Sequence, residues 1–292
     1  MNASFGIDHP LLATHDIDGL RDRLTALGFN MTPIGKHPWG TSTSLAMFNG
    51  CLIEIMGIYD ETLIDEVPAG EFRFGRHVYE HLHQREGVAL TALHSTNSQT
   101  DAEIASRAGF NVAGHLEFGR DVTLPDGTAG RTKTTLALLP DTQFPRLSFF
   151  LCQQHRPELI YVQEWLQHPN KVTGICGVHI VASTEHHVAL RQRFSQLYGG
   201  AETISGGFQC QSANGVVRIV DTNTFEHTIG PLPEDILNNA SPCIVGMDLK
   251  MSKPQKLVNF LKTASLDYRE IENGFSLMSP ELTANTVLRF MM

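Results

Sequence analysis

The chain has 292 residues and a mass of 32.3 kDa, with 41% hydrophobic, 8% aromatic and 18% charged residues, a globular composition long enough for two ordinary domains. That composition excludes intrinsic disorder, collagen and coiled coil, and 22 Lys+Arg against 31 Asp+Glu (formal net charge -9) disfavours nucleic acid as a partner. Its apolar runs fall short of the roughly 20 residues a membrane-spanning helix needs, and Met1 to Phe5 lacks the basic and apolar regions of a signal peptide, so a cytoplasmic protein with no membrane partner is expected.

Residues 6–14 (GIDHPLLAT) predict a short apolar strand. Residues 16–27 predict a helix, with Asp16 as N-cap and Leu20, Leu24 and Leu27 at helical spacing, stopped by Gly28-Phe29. Three strands follow at 30–34, 41–48 and 51–58, broken by GKHPWG and by the hairpin dipeptide Asn49-Gly50. The module is βαβββ. Its grammar returns at 87–153, where Gly109-Phe110 closes a helix 81 residues after Gly28-Phe29, and Pro125-Asp126-Gly127 marks a turn. A third copy opens with GICGVHIVAS and a fourth with CIVGMDLKM. A lone βαβββ module cannot bury both its helix and its sheet, so the modules are expected to pair into two domains. The Pro-, Gln- and His-rich stretch near residue 160 divides the chain into a domain over 1–156, a linker over 157–172 and a second domain over 173–292. The five cysteines are odd in number, scattered and never in a CxxC pair, which predicts reduced thiols.

Tandem βαβββ modules, with the stretches IDHPLLATHDIDGLRDRLTALGF, KHPWGTSTSLAMFNGCLIEIMGI and FFLCQQHRPELIYVQEWLQHPN, resemble the glyoxalase-like branch of the vicinal oxygen chelate superfamily. The resemblance implies an α+β fold of four βαβββ modules paired into two cup-shaped domains. It also implies metal ligands projecting inward from the first and last strands of modules. His9 and Glu54 match those positions in module one, and a carboxylate between Ile53 and Ile55 is costly to bury unless paired or ligated. An imidazole and a carboxylate suit a divalent ion, with Fe, Mn, Zn and Ni all open.

The repeat carries His9 onto Leu90, so module two lacks a first-strand ligand. Gln153 or His155 then completes the site, Gln153 as a substrate contact and His155 as a third metal ligand, or both lie past the strand end and cap the linker. His37 and Trp39 in HPWG are expected at the mouth of the cup, where they would meet a small-molecule substrate. His77 and His81 share a helical face that reads as solvated, and His179, Arg218 and Arg289 make the second half a degenerate copy used for packing, for walling the pocket or as a homodimer face. Three readings remain open: a metal-dependent lyase, isomerase or ring-cleaving dioxygenase with Glu54 as its catalytic base; a non-catalytic binding or resistance-type protein; and a structural dimer whose His9 and Glu54 merely pair by hydrogen bond.

Overall fold

The structure is a computed structural model that describes residues 2–237 and 241–292. Module one comprises β1 (Ile7–Ala13), α1 (Ile17–Ala26), β2 (Gly35–Lys36), β3 (Thr41–Phe48) and β4 (Cys51–Ile58), and α2 (Phe74–Leu82) follows it. Module two comprises β5 (Gly87–Ser95), α3 (Ser98–Arg107), β6 (Gly114–Phe118), β9 (Thr134–Leu139) and β10 (Phe149–Gln154), with the hairpin β7 (Asp121–Thr123) and β8 (Ala129–Arg131) inserted around the Pro125-Asp126-Gly127 turn. Module three runs β11 (Val172–Val181), α4 (Thr184–Tyr198), β12 (Glu202–Ile204), β13 (Gly207–Gln211) and β14 (Val216–Val220), followed by the short helices α5 (Thr222–Thr228) and α6 (Glu234–Leu237). Module four runs β15 (Cys243–Met251), α7 (Pro254–Thr263), β16 (Tyr268–Ile271), β17 (Gly274–Leu277) and β18 (Val287–Met291).

The modules pair as two curled eight-stranded sheets, in the orders β2-β3-β4-β1-β5-β10-β9-β6 and β12-β13-β14-β11-β15-β18-β17-β16. Each sheet is joined at its centre by two antiparallel first strands, with Leu11 opposite Leu90 in one and His179 opposite Gly246 in the other. Modules one and two therefore share one cup, and modules three and four the other. The fold is α+β, as the repeat implies.

Strict alternation sorts the side chains of the sheets. On β4, Cys51, Ile53 and Ile55 face the helices while Leu52, Glu54 and Met56 face the cup. The helix-side core is continuous across the halves, drawing on Leu24 of α1, Ile104 of α3, Phe194 of α4 and Leu261 of α7. Phe110 and Phe194 meet edge-on across that junction at 6.2 Å.

Two expected elements differ. The strand predicted at 30–34 shrinks to Gly35–Lys36 and a single bridge between Met31 and Ala46. Pro33 cannot donate to a ladder, and the Thr32 hydroxyl accepts from Leu45 N at 3.0 Å in place of a backbone carbonyl. The stretch over 157–172 carries no long helix or strand, yet it is pinned to module one. His168 is buried, accepting from Asn30 N at 2.9 Å and donating to Met47 O at 2.8 Å, and Asn170 donates to Leu27 O at 2.9 Å.

Candidate functional site

The N-terminal cup encloses a narrow cavity of about 60 Å³. At its floor His9 lies between two carboxylates. Its Nδ1 is 2.7 Å from Asp8 Oδ1 and its Nε2 is 3.0 Å from Glu54 Oε2, while the second oxygen of Asp8 is 3.3 Å from His94 Nδ1. The second oxygen of Glu54 accepts a 2.5 Å hydrogen bond from Thr43 Oγ1. Burial alone would push the imidazole down, but Asp8 and then Glu54 outweigh it and raise His9 well above its ordinary value. Glu54 moves the other way: burial works to raise it, and hydrogen bonding to His9 and Thr43 holds it below the usual carboxylate range.

The wall is aromatic. His37 stacks on Trp39 at 4.8 Å with an interplanar angle of 13°, and Phe74 and Phe118 each approach the indole at 5.1 Å. Trp39 and His37 are buried in this wall, not exposed at a rim as their place in a turn suggested. The reason is local: Gly40 sits at φ +79° against the Asp60 carbonyl, where a Cβ would come within 2.3 Å, and its own carbonyl accepts from Tyr59 N at 2.9 Å. That docking folds the HPWG turn inward. Burial, reinforced by the charge of Arg120, pushes His37 down to about 4, so a neutral imidazole lines the cup. Helix α2 is no solvated face either, because His81 is buried and His77 Nε2 donates to Ala89 O at 3.0 Å.

The structure brings His9, Glu54, His37 and Trp39 together, and Gln153 and His155 elsewhere. Gln153 faces the helix side of β10, where its Oε1 accepts from Ser98 N at 2.9 Å and Ser98 Oγ at 3.0 Å and its Nε2 donates to Thr96 O at 2.9 Å. It caps α3. His155 is exposed beyond the strand end, with Nε2 2.7 Å from Thr135 Oγ1. Alternation does put these two on one face, but the cup-facing set is the other one, Phe150, Cys152 and Gln154. Arg120, Phe118 and Asp8 complete the site without having been singled out by the sequence. Asp8 was readable beside His9, whereas Arg120 lines the cup from between β6 and β7, outside the strands that alternation sorts.

The 81-residue repeat tests the metal expectation directly. Glu54 is paired with Leu11, and the residue paired with the repeat equivalent of Leu11, Ala92, is Phe150. Module two thus offers Leu90 and Phe150 where module one offers His9 and Glu54. Among the described residues no three His, Cys, Asp or Glu side chains converge as a metal cage. With only His9 and Glu54 at ligand positions and no third such side chain converging on them, this donor set does not fit a resident ion.

In the second cup His179 Nε2 is 2.7 Å from Asp248 Oδ1, which also lies 3.1 Å from Arg289 Nε, with Arg218 Nη1 3.5 Å from His179 Nδ1. Arg218 and Arg289, on the last strands of modules three and four, surround Asp248. Burial keeps His179 below its ordinary value despite Asp248, while His179 and the two arginines overcome burial to hold Asp248 down at about 2. Phe225 of α5 packs edge-on to His179 at 6.3 Å.

Comparison with solved structures finds a hypothetical protein from Staphylococcus aureus at 13% identity, covering 98% of each chain with a TM-score of 0.67. A variant of 4-hydroxymandelate synthase from Streptomyces coelicolor matches at 10% identity over 99% of this chain and 92% of that one, with a TM-score of 0.56. A xylose isomerase-like TIM barrel/4-hydroxyphenylpyruvate dioxygenase fusion protein matches at 12% identity and a TM-score of 0.58, over 99% of this chain but 49% of that one. These likenesses establish the vicinal oxygen chelate fold and leave the chemistry to the site. No curated protein matches the sequence. The profile described as "Glyoxalase-like domain" matches residues 7–197, and the chain belongs to the glyoxalase-like domain family.

Proposed function

We propose that the N-terminal cup binds a small organic molecule against the His9–Glu54 pair without a resident divalent ion, as a binding-type member of its family. The observation that carries this reading is the pairing of two polar positions with two hydrocarbon ones: His9 and Glu54 in module one, Leu90 and Phe150 in module two. The aromatic wall of Trp39, Phe74 and Phe118 supplies a flat apolar surface, and neutral His37 supplies a hydrogen-bonding edge. Glu54 is a poor base in this setting, since one oxygen is committed to Thr43 and the other to His9.

A second reading, the lyase, isomerase or dioxygenase with Fe, Mn, Zn or Ni, is favoured by one feature. His9 and Glu54 stand on the first and last strands of module one with 3.0 Å between them. Among the described residues no third His, Cys, Asp or Glu side chain joins them as a ligand.

The chain has two tryptophans, Trp39 in the cup and Trp165 outside it, so the Trp165→Phe protein reports on the cup alone. Saturable quenching of Trp39 by 4-nitrophenol is expected, weakened about tenfold in Phe118→Ala by loss of one aromatic contact. Unsaturable, purely collisional quenching would count against a binding cup.

A further inference from the structure

A second, larger cavity of about 520 Å³ adjoins the cup. It is a groove walled by Met31, Ile34, Met47, Val122 and Leu159, with Trp165 at its side. Leu45, Arg120, Thr132 and Ile160 border both spaces, so cup and groove are consecutive compartments that meet at Arg120.

Arg120 is set up as a receptor for charge. Its backbone is fixed, with its N–H donating to Thr132 Oγ1 at 2.9 Å, and its Nη1 lies over Gly35, 2.9 Å from where a Cβ would stand. Arg85, Arg193 and Arg289 each face a carboxylate, Asp235, Asp141 and Asp248. Among the described residues the Arg120 guanidinium has no hydrogen-bonded or ion-paired acid; Glu54 acts on it only through space. A half-buried cation without a counter-ion, at the neck of an apolar groove, is stabilised by an anion carried on an apolar body. The anion should be singly charged, because Arg120 supplies one positive charge at the neck, and Glu54 acts on it through space from the inner side.

We infer that the site takes an apolar monocarboxylate, its carboxylate on Arg120 and its hydrocarbon body in the outer groove. This rests on the reading of the cup as a binding site and names the class of ligand. In the Trp39→Phe protein, where Trp165 is the remaining indole, decanoate is expected to shift the emission saturably and to bind more tightly than decan-1-ol. Arg120→Gln should weaken decanoate about tenfold or more and leave decan-1-ol unchanged, while Arg120→Lys keeps the preference. Val122→Glu, which adds a negative charge to the groove wall, should penalise decanoate more than decan-1-ol. Equal affinities for acid and alcohol, or decanoate binding indifferent to Arg120→Gln, would overturn the inference. The inner cup is read separately by 4-nitrophenol and Trp39: if that probe binds and decanoate does not, the ligand class alone falls, and if neither binds, both readings fall.

Discussion

Phe150 stands on the last strand of module two where Glu54 stands on the last strand of module one, and its ring meets the His9 imidazole edge-on at 5.7 Å. A phenyl ring there shields the His9–Glu54 pair from the far side of the cup and offers no lone pair to an ion. The same exchange at Leu90 removes the other donor. At the two positions the superfamily uses for ligands, module one is therefore polar and module two hydrocarbon.

Restoring one donor should restore metal binding. Leu90→His puts an imidazole at the repeat equivalent of His9, on the strand paired with β1. The variant is expected to acquire Co(II) with the visible absorption of a nitrogen- and oxygen-ligated site, at a stability cost of about 1–3 kcal/mol for the buried polar group. Absence of any Co(II) signal in a folded variant would show that His9 and Glu54 are not disposed as ligands.

Asp248 is the hub of the second cup. Asp248→Asn leaves Arg289 without its carboxylate, and a loss of about 3–5 kcal/mol in urea unfolding is expected from breaking a buried pair. The folded carboxyl lies at about 2, below its ordinary 3.8, so its contribution is fully present above pH 3.8 and is lost as the pH falls towards 2. The stability gap between wild type and Asp248→Asn should thus be constant near neutrality and narrow through that acid window. A gap that widened on acidification would contradict the assignment.

Neighbouring glutamines on β10 should separate cleanly. Gln153→Ala removes the cap of α3 and is expected to cost about 1–2 kcal/mol while leaving 4-nitrophenol binding intact. Gln154→Ala, which removes the partner of Thr134 Oγ1 inside the cup, should change ligand affinity more than stability. The reverse pattern would mean that β10 turns its other face to the cavity.

His168 ties the segment between the halves to module one. His168→Leu strands Asn30 N–H and Met47 C=O, and a destabilisation of about 2–4 kcal/mol is expected, with faster proteolysis confined to 157–171. Unchanged cleavage kinetics at that segment would show that the two hydrogen bonds do not hold it.

The module architecture was legible because each copy repeats the same punctuation: Gly28-Phe29 and Gly109-Phe110 end equivalent helices, and the interval between them carries His9 onto Leu90. The site was half legible. Glu54 announced itself as a carboxylate between two isoleucines on a buried strand, and Leu90 marked the missing donor. Period-2 alternation grouped Phe149, Leu151 and Gln153 correctly but could not tell which face of β10 is concave, since both faces are apolar over Phe149–Cys152. Arg120 had no local signal at all, because it stands between β6 and the separate two-stranded β7–β8 sheet, outside the alternation of the main sheet. Burial of Trp39 depends likewise on a contact with Asp60, beyond the span of the turn itself.

The central claim, an N-terminal cup that binds without a resident ion, is tested most directly by metal content. Untagged protein loaded in turn with Fe(II), Mn(II), Zn(II) and Ni(II), then desalted, is measured by plasma mass spectrometry beside Glu54→Ala. Far less than one ion per chain is expected in both proteins for every metal. Near-stoichiometric metal in the wild type that disappears in Glu54→Ala would contradict it and restore the metal-dependent reading.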